Sequence, residues 1–87
     1  MDFPTSEHPP IFFLEPESQL DIMSALQKLK ERYTVVINLE KLDSSLAKQA
    51  SDMMAGCTCA IEGKSTWLGK ETYMYTPNNV NVYVYTK

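Results

Sequence analysis

The chain has 87 residues, 44% hydrophobic and 22% charged, and its 8 Lys and Arg against 11 Asp and Glu give a formal net charge of −3 at pH 7. That length holds one domain, near the lower limit of what folds without a metal or disulfide, and the acidic balance argues against a general nucleic-acid binder, which needs a basic surplus to neutralise phosphates. The longest apolar runs, Ile11-Phe12-Phe13-Leu14 and Thr34-Val35-Val36-Ile37, are far too short to cross a bilayer.

Residues 1–10 carry Pro4, Pro9 and Pro10 among polar neighbours and read as an extended or disordered arm, which leaves 11–87 as the domain. The first residues lack the basic and apolar regions of a secretory signal. Ile11–Leu14 reads as a buried strand ending before Pro16. Ser18 offers an N-cap and Asp21 an acid for the first turn of a helix over 18–32, with Ile22, Leu26 and Leu29 at helical spacing. Tyr33–Leu39, rich in β-branched residues and continuously apolar, has the character of a central strand. Asp43, Ser44 and Ser45 supply caps for a second helix, Leu46, Ala50, Met53 and Met54 are expected to form its buried stripe, and Gly56 is placed to end it. The order β-α-β-α favours parallel pairing of the first two strands through a crossover.

Beyond Gly56 the pattern shifts to period two. Thr58–Ile61 reads as a strand, 62–65 as a turn, Thr66–Leu68 as a strand, Gly69-Lys70-Glu71 as a turn and Thr72–Thr76 as a strand. A last alternating run follows the turn at Pro77-Asn78-Asn79, with Val80, Val82 and Val84 on one face. The expected class is α+β: β-α-β-α followed by a β-meander, a mixed sheet with two helices packed on it.

No residue set in the chain carries recognisable catalytic chemistry. Gly63-Lys64-Ser65 resembles the end of a phosphate-binding loop, but position 58, where the motif needs its first glycine, is Thr. His8, the only histidine, lies in the Pro-flanked arm, away from any nucleophile it could activate. Cys57 and Cys59 would share a face of the strand assigned to them, and a disulfide between such close neighbours is strained. No second pair completes a zinc site, so two reduced thiols and a reducing cytoplasm are the expectation. The chain is therefore expected to be no enzyme and to hold no metal or cofactor.

The aromatic residues point instead to an interface. Trp67, Tyr73, Tyr75, Tyr83 and Tyr85 crowd one predicted sheet face, more than two helices can cover. Tyr and Trp are the residues most enriched at interface centres, and a bare apolar face on a small domain must be covered by something. A second copy of the chain and a partner peptide are both suitable covers. RNA stacking is a weaker one, because no basic cluster accompanies the aromatics.

The segment Thr34-Val35-Val36-Ile37-Asn38-Leu39-Glu40-Lys41-Leu42, then Ala47-Lys48 and Met53-Met54-Ala55-Gly56, resembles the centre of the SepF family of cell-division proteins. The likeness continues through Ala60-Ile61-Glu62-Gly63, Leu68-Gly69 and Tyr73-Met74-Tyr75-Thr76-Pro77-Asn78-Asn79-Val80-Asn81-Val82, with Phe13-Leu14-Glu15-Pro16 as the first strand. It covers about residues 11–82. The resemblance implies a homodimeric domain, with possible higher-order oligomers, that binds the C-terminal tail of FtsZ, the tubulin-like division protein. It implies a cytoplasmic scaffold at the division site, on the inner face of the cell membrane. Membrane contact is expected only with a longer N-terminal segment, because ten residues with three prolines form no amphipathic membrane helix. By the same resemblance Gly56 is a self-assembly residue, and Tyr73 and the position of Trp67 are FtsZ-tail contacts. At that last position the family pattern has a basic residue. The alternative reading is a self-associating structural module that has lost direct FtsZ or membrane binding.

Overall fold

The computed structural model describes residues 10–78. They form β1 (Ile11–Leu14), α1 (Gln19–Lys30), β2 (Thr34–Asn38), α2 (Ser44–Ala60), β3 (Lys64–Gly69) and β4 (Thr72–Thr76). One sheet runs in the order β1-β2-β4-β3; β1 lies parallel to β2, and the other two pairs are antiparallel. The chain thus has the expected α+β class and mixed sheet. Residues 1–9 of the arm and the alternating run over 80–85 lie outside the described residues.

Both helices begin where short polar side chains can satisfy free N–H groups. The Ser18 hydroxyl accepts from the Asp21 N–H at 3.3 Å, and the Asp21 carboxylate reaches back to the Glu17 N–H at 3.0 Å. Asp43 accepts from the Leu46 N–H at 2.8 Å to start α2. Helix α1 stops where Arg32 turns to φ 74°, so that its N–H bonds Leu29 O and the Tyr33 N–H bonds Lys28 O.

Helix α2 departs from the sequence expectation. It does not end at Gly56, and Thr58–Ile61 is not a strand: residues 57–60 are its last turn. Thr58 sits one turn beyond Met54, both are buried, and the Thr58 hydroxyl donates to Met54 O at 2.6 Å. Burying Thr58 beside Met54 outweighs its strand preference, because propensity is a weak prior against tertiary packing. The stop comes at Glu62, with φ 59°. There the Glu62 N–H donates to Cys59 O and the Gly63 N–H donates to Thr58 O, the same pair of hydrogen bonds that closes α1. Lys64 and Ser65, expected in a turn, open β3 instead. Cys57 and Cys59 consequently lie on a helix, about 200° apart around its axis. Cys57 packs toward the core and Cys59 is exposed, so they do not share a face.

Strand β2 is buried from Thr34 to Ile37. In the sheet register Val35 and Ile37 share a face with Phe12, Leu14, Tyr73 and Tyr75, the face on which both helices lie. Ile22, Ala25 and Leu29 from α1 meet Ala50 and Met54 from α2 over that face, with Leu39 and Leu42 closing one end. Full burial of a side chain such as Ile22, Leu29 or Ile37 contributes about 1.5–3 kcal/mol.

Gly63 is the tightest point of the fold. A Cβ there would run into the carbonyl oxygen of Thr76, and the methyl of Thr58 stands close behind it. Gly63→Ala is expected to destabilise the domain by about 1–3 kcal/mol, since backbone on one side cannot give way. A denaturant midpoint equal to that of the parent chain would contradict this packing.

Candidate functional site

Among the described residues two surfaces stand open, a groove of mixed polar and apolar lining and an apolar sheet face. One is a groove of about 430 Å³ between the first turns of α2 and the end of the sheet. Leu39, Glu40 and Leu42 supply one wall, Ser44, Ala47, Lys48 and Ser51 a second, and Glu71 and Tyr73 the third. Helix α2 can serve both core and groove because its stripes diverge: Leu46, Ala50 and Met54 point inward, and positions 44, 47, 48 and 51 form a neighbouring stripe, while Met53, expected in the buried stripe, is exposed. Tyr73 stands at the groove because β4 pairs with β2 at Ile37 and with β3 at Trp67.

That pairing brings two of the expected site residues together. Trp67 and Tyr73 are direct cross-strand partners, so their side chains share the helix-bearing face at the sheet's edge. Trp67 is 65% exposed, and its indole N–H donates to Lys70 O at 2.9 Å, which ties the ring to the β3–β4 turn. Tyr75 stacks on Tyr73 with ring centroids 6.2 Å apart, yet it is 2% exposed. It therefore belongs to the core and not to a bare aromatic face. Tyr83 and Tyr85 lie outside the described residues.

Gly56 stands apart from this pair. It lies inside α2, exposed, and a Cβ built on it would meet nothing within 4 Å.

The second surface is the sheet face turned away from the helices. Ile11, Phe13, Val36 and Met74 share it by register, and Phe13 is 75% exposed. A register shift between Trp67 and Gly69 adds one residue to β3, and Leu68 joins Phe13, Val36 and Thr72 in lining a cleft of about 470 Å³ there. The sequence reading missed this face because it looked for aromatics on β3 and β4. The alternation in β1, half-buried Phe12 and Leu14 against exposed Ile11 and Phe13, was the available signal. Among the described residues, no helix is long and apolar enough to cross a membrane.

Charge on the groove side is unevenly compensated. Lys48 reaches Asp52 one turn on at 3.4 Å, and Lys41 reaches Glu15 at 3.1 Å, which holds the Lys41 ammonium above its usual range. Tyr75 is pushed up to about 12, first by burial, then by the neighbouring Tyr73 phenol and by Asp52. A phenol raised in the folded state stays neutral there while the unfolded chain ionises. Its stabilising contribution is whole below about pH 10, the unfolded value, and is lost as pH rises through about 12. Tyr75→Phe is expected to flatten the loss of stability between those two pH values. An alkaline unfolding profile unchanged by the substitution would assign that loss to other groups.

The family described as cell division protein SepF matches residues 11–82. The cell division protein SepF of Synechococcus sp. (strain JA-3-3Ab) is 38% identical over 79 residues, which are 91% of this chain and 40% of that protein. That of Prochlorococcus marinus (strain AS9601) is 38% identical over 72 residues, 83% of this chain and 38% of that protein. The chain thus spans about two fifths of the length of these curated relatives. Among solved structures, a SepF-like protein from Pyrococcus furiosus superimposes with a TM-score of 0.76 at 16% identity, over 91% of this chain and 99% of that one. The cell division protein SepF from Methanobrevibacter smithii, solved in complex with FtsZ-CTD, gives 0.73 at 20% identity, over 86% and 98%. At those identities the likeness is one of fold.

Proposed function

The chain belongs to the SepF family of cell-division proteins, and from that premise we propose that it is a non-enzymatic adaptor of the division ring whose groove takes the C-terminal tail of FtsZ. The observation that carries this reading is the pairing of Tyr73 with Trp67 beside the groove of Leu39, Leu42 and Ala47. A groove with Leu39, Leu42 and Ala47 in its walls and Tyr73 at its edge suits a short peptide that buries one or two apolar side chains. The M. smithii relative was solved with FtsZ-CTD, which supports the choice of partner.

The open sheet face serves a different contact in this reading. Ile11, Phe13 and Leu68 form an exposed apolar surface on the opposite side from the groove. A second copy laid face to face would cover it and leave both grooves free, so dimerisation and tail binding are compatible. Self-assembly beyond the dimer falls to the outer face of α2 around Gly56. There the absence of a side chain lets another backbone approach, at the cost of a glycine in a helix interior. An adaptor with these three contacts would work at the division site on the cytoplasmic side of the membrane.

Trp67 favours a second reading, because it stands where the family pattern has a basic residue. On that reading the chain is a self-associating module that has lost FtsZ binding. Co-sedimentation with FtsZ filaments separates the two.

Tyr73→Ala is expected to weaken binding of an FtsZ C-terminal peptide by about 1–2 kcal/mol, as for an interface aromatic. Calorimetry on the folded variant tests this, and unchanged affinity would remove Tyr73 from the site. Gly56→Lys should leave the monomer fold intact, because nothing stands within 4 Å of the added Cβ. It should also reduce light scattering from species larger than the dimer. Equal scattering by parent and variant would take assembly away from this helix face.

A further inference from the structure

We propose that Trp67 sets what the docking edge accepts: an apolar side chain of the partner's tail, and not an acidic one. The proposal rests on the reading of Tyr73 and its edge as the place where that tail docks, and it names the tail chemistry selected there. Trp67 stands at the edge by sheet register. It is paired directly with Tyr73, and side chains so paired lie on one face with their Cβ atoms about 4.5–5.5 Å apart. Tyr73 in turn lines the groove with Leu39, Leu42 and Ala47.

The selectivity follows from where the one polar atom of the ring is directed. The turn between β3 and β4 passes through two left-handed residues, Gly69 at φ 130° and Lys70 at φ 44°. From this turn the Lys70 carbonyl accepts the indole N–H at 2.9 Å. An indole has a single donor and no acceptor, so with that donor held inside its own hairpin the ring offers only hydrocarbon and π surface. Trp67 is nevertheless 65% exposed. A carboxylate laid on the ring would meet its negative face and lose hydration without gaining a donor from it. An aliphatic or aromatic side chain would instead release water from both surfaces. The same hydrogen bond fixes the direction of the ring, so docking orders it less than it would a freely rotating side chain.

Trp67 is the chain's only tryptophan, so its emission reports the contact in the unaltered full chain. Emission should move to shorter wavelength as peptide binding saturates, and an unshifted emission at saturation overturns the proposal. The selectivity is read with FtsZ C-terminal peptides in which each position in turn carries Leu or Asp. These and the unsubstituted peptide are titrated by calorimetry into the parent chain and into Trp67→Phe and Trp67→Ala, both checked for folding by circular dichroism. At the peptide position that meets Trp67, the parent should bind the Leu form about 10-fold more tightly than the Asp form. Trp67→Phe keeps a ring without a donor and should hold that preference, whereas Trp67→Ala should bring the ratio to about 1. A ratio that is the same in the parent and in Trp67→Ala at every position overturns the proposal. If the unsubstituted FtsZ peptide does not bind but a Leu form binds in a Trp67-dependent way, the choice of FtsZ falls while the selectivity stands. If the unsubstituted peptide binds and no ratio depends on position 67, only the selectivity falls, and binding of no peptide overturns both.

Discussion

Strand β2 is the element on which the rest of the domain depends. Its residues Thr34 to Ile37 are buried, and it is the only strand hydrogen-bonded to both a parallel neighbour and an antiparallel one within the described sheet. Val35 and Ile37 form the floor under both helices, and Val36 anchors the opposite face. The parallel bond to β1 requires a crossover, which α1 supplies, and the antiparallel bond to β4 sets the start of that strand against the loop that follows β2. The groove is a consequence of that second bond. Leu39 and Glu71 are backbone partners because Asn38 and Thr72 are ladder partners, and their side chains meet there by hydrogen bond at 3.2 Å.

Two helices cover one face of a four-stranded sheet, and so small a chain has no further element among the described residues to cover the other. The resulting division of labour is physical before it is biological. The helix-bearing face holds the core, its edge carries the exposed Trp67 beside Tyr73, and the opposite face presents the exposed Ile11, Phe13 and Leu68. Two of the acids that make up the excess of acid over base in the sequence, Glu40 and Glu71, line the groove.

Capping chemistry and hydrophobic period were legible with little error where they acted locally. Ser18 and Asp43 start their helices, Ile22 and Leu29 face inward, and Thr72–Thr76 has the bounds expected of it. The misreading fell at Gly56. A glycine after an apolar helical stripe, followed by Thr58 and Ile61, is the local signature of a helix stop and a strand. Helix continuation was decided by Thr58 packing beside Met54 and by the closing turn at Glu62 and Gly63, where Thr76 crowds the backbone. Thr76 is 18 residues from Thr58 along the chain, so no window of local sequence contains that constraint. The aromatic residues erred in the same way: alternation along β4 put Tyr73 and Tyr75 on one face correctly, but only the position of α2 separates the buried ring from the accessible one.

The sequence by itself determined the class of fold, the helix starts, the central strand and the family, because these rest on local propensity and on motif order along the chain. The tertiary structure alone decided where α2 ends, that Tyr75 is core while Tyr73 borders a groove, that Gly56 lies open on a helix, and that Glu40 and Glu71 line the same groove. The physical reason is common to all four. Each depends on which residues from distant segments share a space, and that is set by strand register and helix placement, which the order of residues specifies only through the folded whole.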